Sequence, residues 1–172
     1  MTGMKWTTKN MALCAVLAAL ALGLSTLENL FPVTALVPVP GVKLGLANIV
    51  TVFALYRLGA PEALAILLVR CALGGLFAGN VSALLFSTLG GLCAMGVMIL
   101  LRRWRRLSVY GVSIGGAAAH NIGQMAAAVI TLGSTMVLGY LPFLLAVSLF
   151  TGTLTGFVTA LLLRATSHIR FR

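Results

Sequence analysis

Apolar residues run in long blocks along this chain, separated by short segments that hold nearly all of its charge. Runs long enough to be read against about 30 Å of hydrocarbon occupy positions 10–31, 44–58, 61–79, 81–101, 108–133 and 138–163. The second covers roughly 15 positions against the roughly 20 of a full span, so it is expected to be buried, tilted or only partly spanning. The runs are continuously apolar and lack the alternation of outer-membrane strands, which favours helices over a barrel. The pattern predicts an all-α polytopic membrane protein, with residues 1–172 forming one compact bundle of six transmembrane helices.

Composition agrees. Apolar types make up 60% of the chain and charged types 8%, against roughly 25% charged in soluble domains. So few charges cannot cover a water-facing surface, whereas a lipid bilayer wets an apolar exterior. The net charge of +10 raises nucleic acid as a partner, but the basic residues sit beside apolar runs with no interleaved aromatics, and direct nucleic-acid binding is set aside.

Their placement instead orients the chain. With the N-terminus in the cytoplasm, Lys5, Lys9, Arg57, Arg102, Arg103, Arg105, Arg106, Arg164, Arg170 and Arg172 all fall on that side, ten of the twelve basic residues. Lys43 alone lies outside, and Arg70 falls within a span. This is the asymmetry of the positive-inside rule, and it predicts that both termini are cytoplasmic. Five or seven spans would scramble it. Ala19-Leu20-Ala21 resembles a signal-peptidase site, but the apolar run continues past it, so the first run is read as a span.

The first outer segment, from Phe31 to Gly41, contains Pro32, Pro38 and Pro40 and yet stays apolar. Proline blocks a helix through its missing N–H and its ring clash. The segment is therefore expected to be non-helical, either a lid lying against the protein or a stiff connector.

Polar residues inside spans are costly and therefore informative. Ser25, Glu28 and Asn29 share a face at the outer end of the first helix by i, i+3, i+4 spacing. Asn48 opens the second helix, Arg70 lies near the middle of the third, and Asn80 starts the fourth. His120, Asn121 and Gln124 cluster in the fifth. Most of these lie in the outward half, which suits a pocket for a small polar or amphipathic ligand. The plainer alternative is a set of hydrogen bonds between helices, each contributing about 1 kcal/mol.

Arg70 calls for a partner, because a lone arginine at mid-membrane costs about 2.5 kcal/mol or more. Glu62 begins the same helix roughly 12 Å away along the axis, which leaves Glu28. Both side chains are expected to face the bundle interior and to meet directly or through a ligand or water.

Small residues form two stripes. Ala15, Ala19 and Gly23 repeat every four positions on the first helix, and Gly111, Gly115, Ala119, Gly123 and Ala127 do so on the fifth. Such stripes let helix backbones approach closely, either within the bundle or against a partner. Glu28 points roughly opposite the first stripe at 100° per residue.

What is missing narrows the chemistry. No GxxxxGK[ST] loop is present, which argues against ATP hydrolysis on this chain. The two acidic residues, Glu28 and Glu62, cannot supply the clustered carboxylates of magnesium-dependent diphosphate chemistry. His120 and His168 are too dispersed for a metal site, and Cys14, Cys71 and Cys93 form no CxxC pair. The chain is expected to have no catalytic residues, cofactor or metal.

Four segments in order resemble the bacterial Gx transporter family, whose members are often labelled heptaprenyl diphosphate synthase component I. They are Leu27 to Pro32, Pro40 to Asn48, Arg70 to Asn80, and Ala119 to Gln124. That family is similar to the substrate-binding S components of energy-coupling factor (ECF) importers. The resemblance implies six helices in a bacterial cell membrane, a solute captured from outside, and a first loop serving as lid. It also implies a transmembrane coupling subunit and two ATPase subunits as partners, with an AxxxA motif on the first helix as the docking element. Ala15 to Ala19 matches that motif. The expected ligand site comprises Glu28, Asn29, Lys43, Asn48, Arg70, Asn80, His120, Asn121 and Gln124, and the expected docking stripe Ala15, Ala19 and Gly23. The other reading is a noncatalytic membrane accessory of heptaprenyl diphosphate or quinone synthesis.

Overall fold

The computed structural model describes residues 8–30, 45–104 and 106–168. These residues form an all-helical bundle: α1 (Thr8–Leu30), α2 (Leu46–Arg57), α3 (Ala60–Ala78), α4 (Val81–Arg103), α5 (Val109–Leu132) and α6 (Leu141–Ala165). A 3-10 turn at Thr135–Tyr140 leads into α6. Each apolar run of the sequence becomes one helix, with ends displaced by a few residues. The proline-rich segment and Lys43 fall within 31–44, outside the described residues, as does the side chain of Asn29.

Four stretches are long and apolar enough to cross a membrane: Thr8–Glu28, Ala60–Ala78, Val81–Arg103 and Thr135–Ala165. The other two helices depart from the simple six-span pattern for physical reasons. At 12 residues, α2 is about 18 Å long, short of the hydrocarbon thickness. Its residues from Ile49 to Leu55 are buried without interruption, so every face is covered, and it packs against α1, α3 and α6. Helix α5 has the length, at 24 residues, but its glycines and its His120, Asn121 and Gln124 dilute the apolar content.

Turn chemistry sets several boundaries. Gly79 takes a left-handed conformation (φ 59°) after α3, which a side chain would resist. The next residue, Asn80, then caps α4 by accepting a hydrogen bond from the Ser82 N–H at 2.8 Å.

Helix α5 lies between α4 and α6, and these two contacts are the most extensive in the bundle. Glycine makes them close. A Cβ at Gly123 would stand 2.7 Å from the Leu89 carbonyl oxygen of α4, and one at Gly152 would stand 2.6 Å from the Ile114 Cα of α5. The α5 stripe is therefore an internal seam, with Ala119 and Ala127 also buried. The α1 stripe is placed differently: Ala15, Ala19 and Gly23 are all exposed, and a Cβ at Gly23 would meet nothing within 4 Å.

The two ends of the bundle differ. At one end Arg57 donates to the Thr166 carbonyl, and Arg102 donates to the Leu55 carbonyl. The Arg102 guanidinium also lies 5.1 Å from the Tyr56 ring centroid. Cations thus hold the carbonyls at the C-terminal ends of α2 and α6, where the helix dipole favours positive charge. The half of the bundle nearest these arginines is filled by a dry core of Cys14, Leu17, Leu55, Ile66, Leu67, Met95, Met98 and Val112. The outer surface carries large exposed apolar side chains, among them Leu20, Ile130, Leu149 and Phe150. In water such an exterior would be a liability.

Candidate functional site

Above this apolar core, in the half away from the basic end, the helices surround a partly open cavity of about 500 Å³. That lies within the range of small-molecule sites. All six helices contribute to its lining. The core stops near Leu67 and Cys71 of α3, and Arg70, one turn above Leu67, stands at the boundary.

The structure brings together every predicted ligand-site residue whose side chain it describes. Glu28 comes from α1, Asn48 from α2, Arg70 from α3 and Asn80 from the start of α4. His120, Asn121 and Gln124 come from α5. Ser25, on the same face as Glu28, lines the cavity too. Asn29 and Lys43 lie outside the described positions.

Several of them are held by a definable local feature. Glu28, 7% exposed, accepts a hydrogen bond from the Gly45 N–H at 2.7 Å. Gly45 is the residue before α2 and is left-handed (φ 81°), a conformation glycine tolerates. The carboxylate thus sits at the positive end of α2. Asn121 reaches across to α6, where its amide donates to the Leu144 carbonyl at 2.8 Å. His120 and Gln124, one turn apart on α5, lie over Gly90 of α4. A Cβ there would be 2.9 Å from the His120 ring and 3.0 Å from the Gln124 stem. Gly90 therefore makes the room they occupy.

Arg70 is different. It is only 8% exposed, and its Nε is buried without a hydrogen-bond partner. Both it and Glu28 face the interior, as expected from the sequence. Among the described residues, however, no ion pair joins Arg70 to Glu28 or Glu62.

The lining also includes residues that sequence reasoning passed over. Thr151 and Thr155 of α6 contribute from the far wall. Their hydroxyls bond back to Val147 and Thr151 carbonyls of their own helix, which is ordinary for threonine in apolar helices. Only their four-residue spacing hinted at a shared face. Cys71, which belongs to no CxxC pair, borders the cavity and donates to the Ser87 carbonyl at 3.4 Å. Phe77 and Phe86 supply apolar surface. Among the described residues no three His, Cys, Asp or Glu side chains gather as a metal site would require.

No curated protein and no solved structure matches this chain. A family model described as heptaprenyl diphosphate synthase component I matches residues 17–162, a stretch that takes in the whole lining of the cavity and most of the six helices. With so much of its length matched, the chain belongs to the heptaprenyl diphosphate synthase component I family.

Proposed function

We propose that this chain is a noncatalytic, ligand-binding membrane subunit that takes up a small polar or amphipathic solute from outside the cell. The observation that carries this reading is the partly open cavity, in which polar side chains from six helices converge in an otherwise apolar bundle. Hydrogen bonds between helices need no empty volume of about 500 Å³. In this reading all six helices sit in the bacterial cell membrane, α2 being wrapped by its neighbours, and the basic end faces the cytoplasm. The exposed stripe of Ala15, Ala19 and Gly23 meets a transmembrane coupling subunit that works with two ATPase subunits, as in an ECF-like importer.

The family match favours a second reading. Its description names a component of heptaprenyl diphosphate synthesis, which supports a membrane accessory that anchors or serves a prenyl synthase. In that case the cavity holds a molecule from that pathway rather than an imported solute. Gentle extraction of the tagged protein from its native membrane separates the two. Recovery of ATPase subunits with a second membrane protein supports the importer. Recovery of a soluble prenyl synthase supports the accessory and overturns the importer.

A further inference from the structure

The charges lining the cavity are not equivalent, and their difference restricts what it can hold. Glu28 lies at the N-terminus of α2 and accepts the Gly45 N–H at 2.7 Å. Its negative charge thus has a counterpart in the protein itself, the positive end of that helix. Arg70 has none. It is more than nine-tenths buried and lines the cavity, its Nε makes no hydrogen bond, and no ion pair reaches it among the described residues. A buried guanidinium without an anion is unfavourable in a medium of low dielectric.

A second positive element faces the same space. The first turn of α4 contributes Asn80, Ser82 and Ala83 to the lining. This is a helix of 23 residues with no acidic residue in its first turn. The Asn80 side chain caps one amide, that of Ser82, and no carboxylate offsets the helix dipole there. Phe77 and Phe86 also line this space and suit an apolar portion of the ligand.

We infer that the cavity takes an oxyanion, a carboxylate or a phosphate, carried on a partly apolar small molecule. Arg70 pairs with the anionic group, and Glu28 positions α2 without recognising the ligand. The guanidinium fork matches either oxyanion in a two-point contact. The inference rests on the ligand-binding reading above and deepens it by naming the ligand's charge.

The test uses the full chain in maltoside detergent and four probes of similar size: phenyl phosphate, benzoate, benzyl alcohol and benzylamine. Binding is read as the concentration-dependent rise of the unfolding midpoint. Phenyl phosphate or benzoate is expected to bind most tightly, and Arg70→Gln to weaken it about tenfold or more. The conservative Arg70→Lys should fall between, because it keeps the charge and loses the fork. Without probe, Arg70→Gln should unfold at or above the wild-type midpoint, since it removes an uncompensated charge. A residue with a merely structural role would instead lower it. Phosphatidylglycerol added to the detergent identifies the natural source of the anion. Competition with phenyl phosphate assigns a lipid headgroup, and its absence a free solute, and either result supports an oxyanion site. Preference for benzylamine, or anion binding that survives Arg70→Gln, overturns the proposal and leaves the ligand-binding reading standing. If no probe shifts the wild type, both fall.

Discussion

Glu28 and Gly45 lie 17 positions apart, and the carboxylate of the first accepts the backbone N–H of the second at 2.7 Å. This one bond ties the end of α1 to the start of α2 across the proline-rich segment. It also satisfies a backbone donor at a helix end that the helix itself leaves without a partner. The bond predicts that Glu28→Gln acts mainly on stability. Replacing a charge-assisted hydrogen bond by a neutral one should cost about 1–2 kcal/mol, read as a lowered unfolding midpoint. A midpoint equal to the wild type's would mean that Glu28 does not fasten α2.

The glycine seams make a paired prediction. Gly123→Ala would drive a methyl to 2.7 Å from the Leu89 carbonyl of α4, and backbone cannot rotate away as a side chain can. A loss of about 1–3 kcal/mol is expected from such overpacking. Gly23→Ala on α1 meets nothing within 4 Å and should gain up to about 1 kcal/mol from helix propensity. Thermal unfolding of the two variants side by side checks both signs.

Because Ala15 and Ala19 are exposed, enlarging them should leave the bundle intact. Ala15→Leu with Ala19→Leu is expected to unfold at the wild-type midpoint and to lose co-purification with a membrane partner. An unchanged complex would assign the stripe to lipid rather than to docking.

Orientation can be read by chemical labelling after Cys14, Cys71 and Cys93 are replaced. Met136, 88% exposed, lies at the end of the bundle remote from Arg57 and Arg102, whereas Trp104, 65% exposed, lies at theirs. An impermeant thiol reagent applied to intact cells should label Met136→Cys and spare Trp104→Cys. The reverse pattern would invert the topology.

Much of this architecture was legible in the chain. The six apolar runs map onto six helices because hydrocarbon-length apolar segments have few alternatives to helix. The polar residues Glu28, Asn48, Arg70, Asn80, His120, Asn121 and Gln124 come together in one cavity, as side chains that would be costly on so apolar an exterior. Spacing could not reveal which charges are engaged by backbone. The Glu28 bond to Gly45 depends on how α1 and α2 meet, and no periodicity carries that. Thr151 and Thr155 were hidden because threonine in an apolar helix commonly bonds its own turn. The two small-residue stripes had the same signature, and only packing distinguished the buried seam of α5 from the open face of α1.

The glycine contacts that join α4, α5 and α6 bear on how the cavity can open. Where backbone rests on backbone, no rotamers are available to accommodate sliding, so these three helices move together or not at all. The core shared by α1, α2 and α3 combines small residues such as Ala18, Ala21, Ala54 and Ala63 with larger ones such as Leu17, Leu55 and Ile66, whose rotamers can exchange and let the helices shift. Passage into and out of the cavity should therefore be timed by α1–α3, with the α4–α6 trio serving as the stationary frame. Amide hydrogen exchange should divide along the same line, fast in the outer turns of α1 and α3 and slow at Leu89, Gly90 and Gly123.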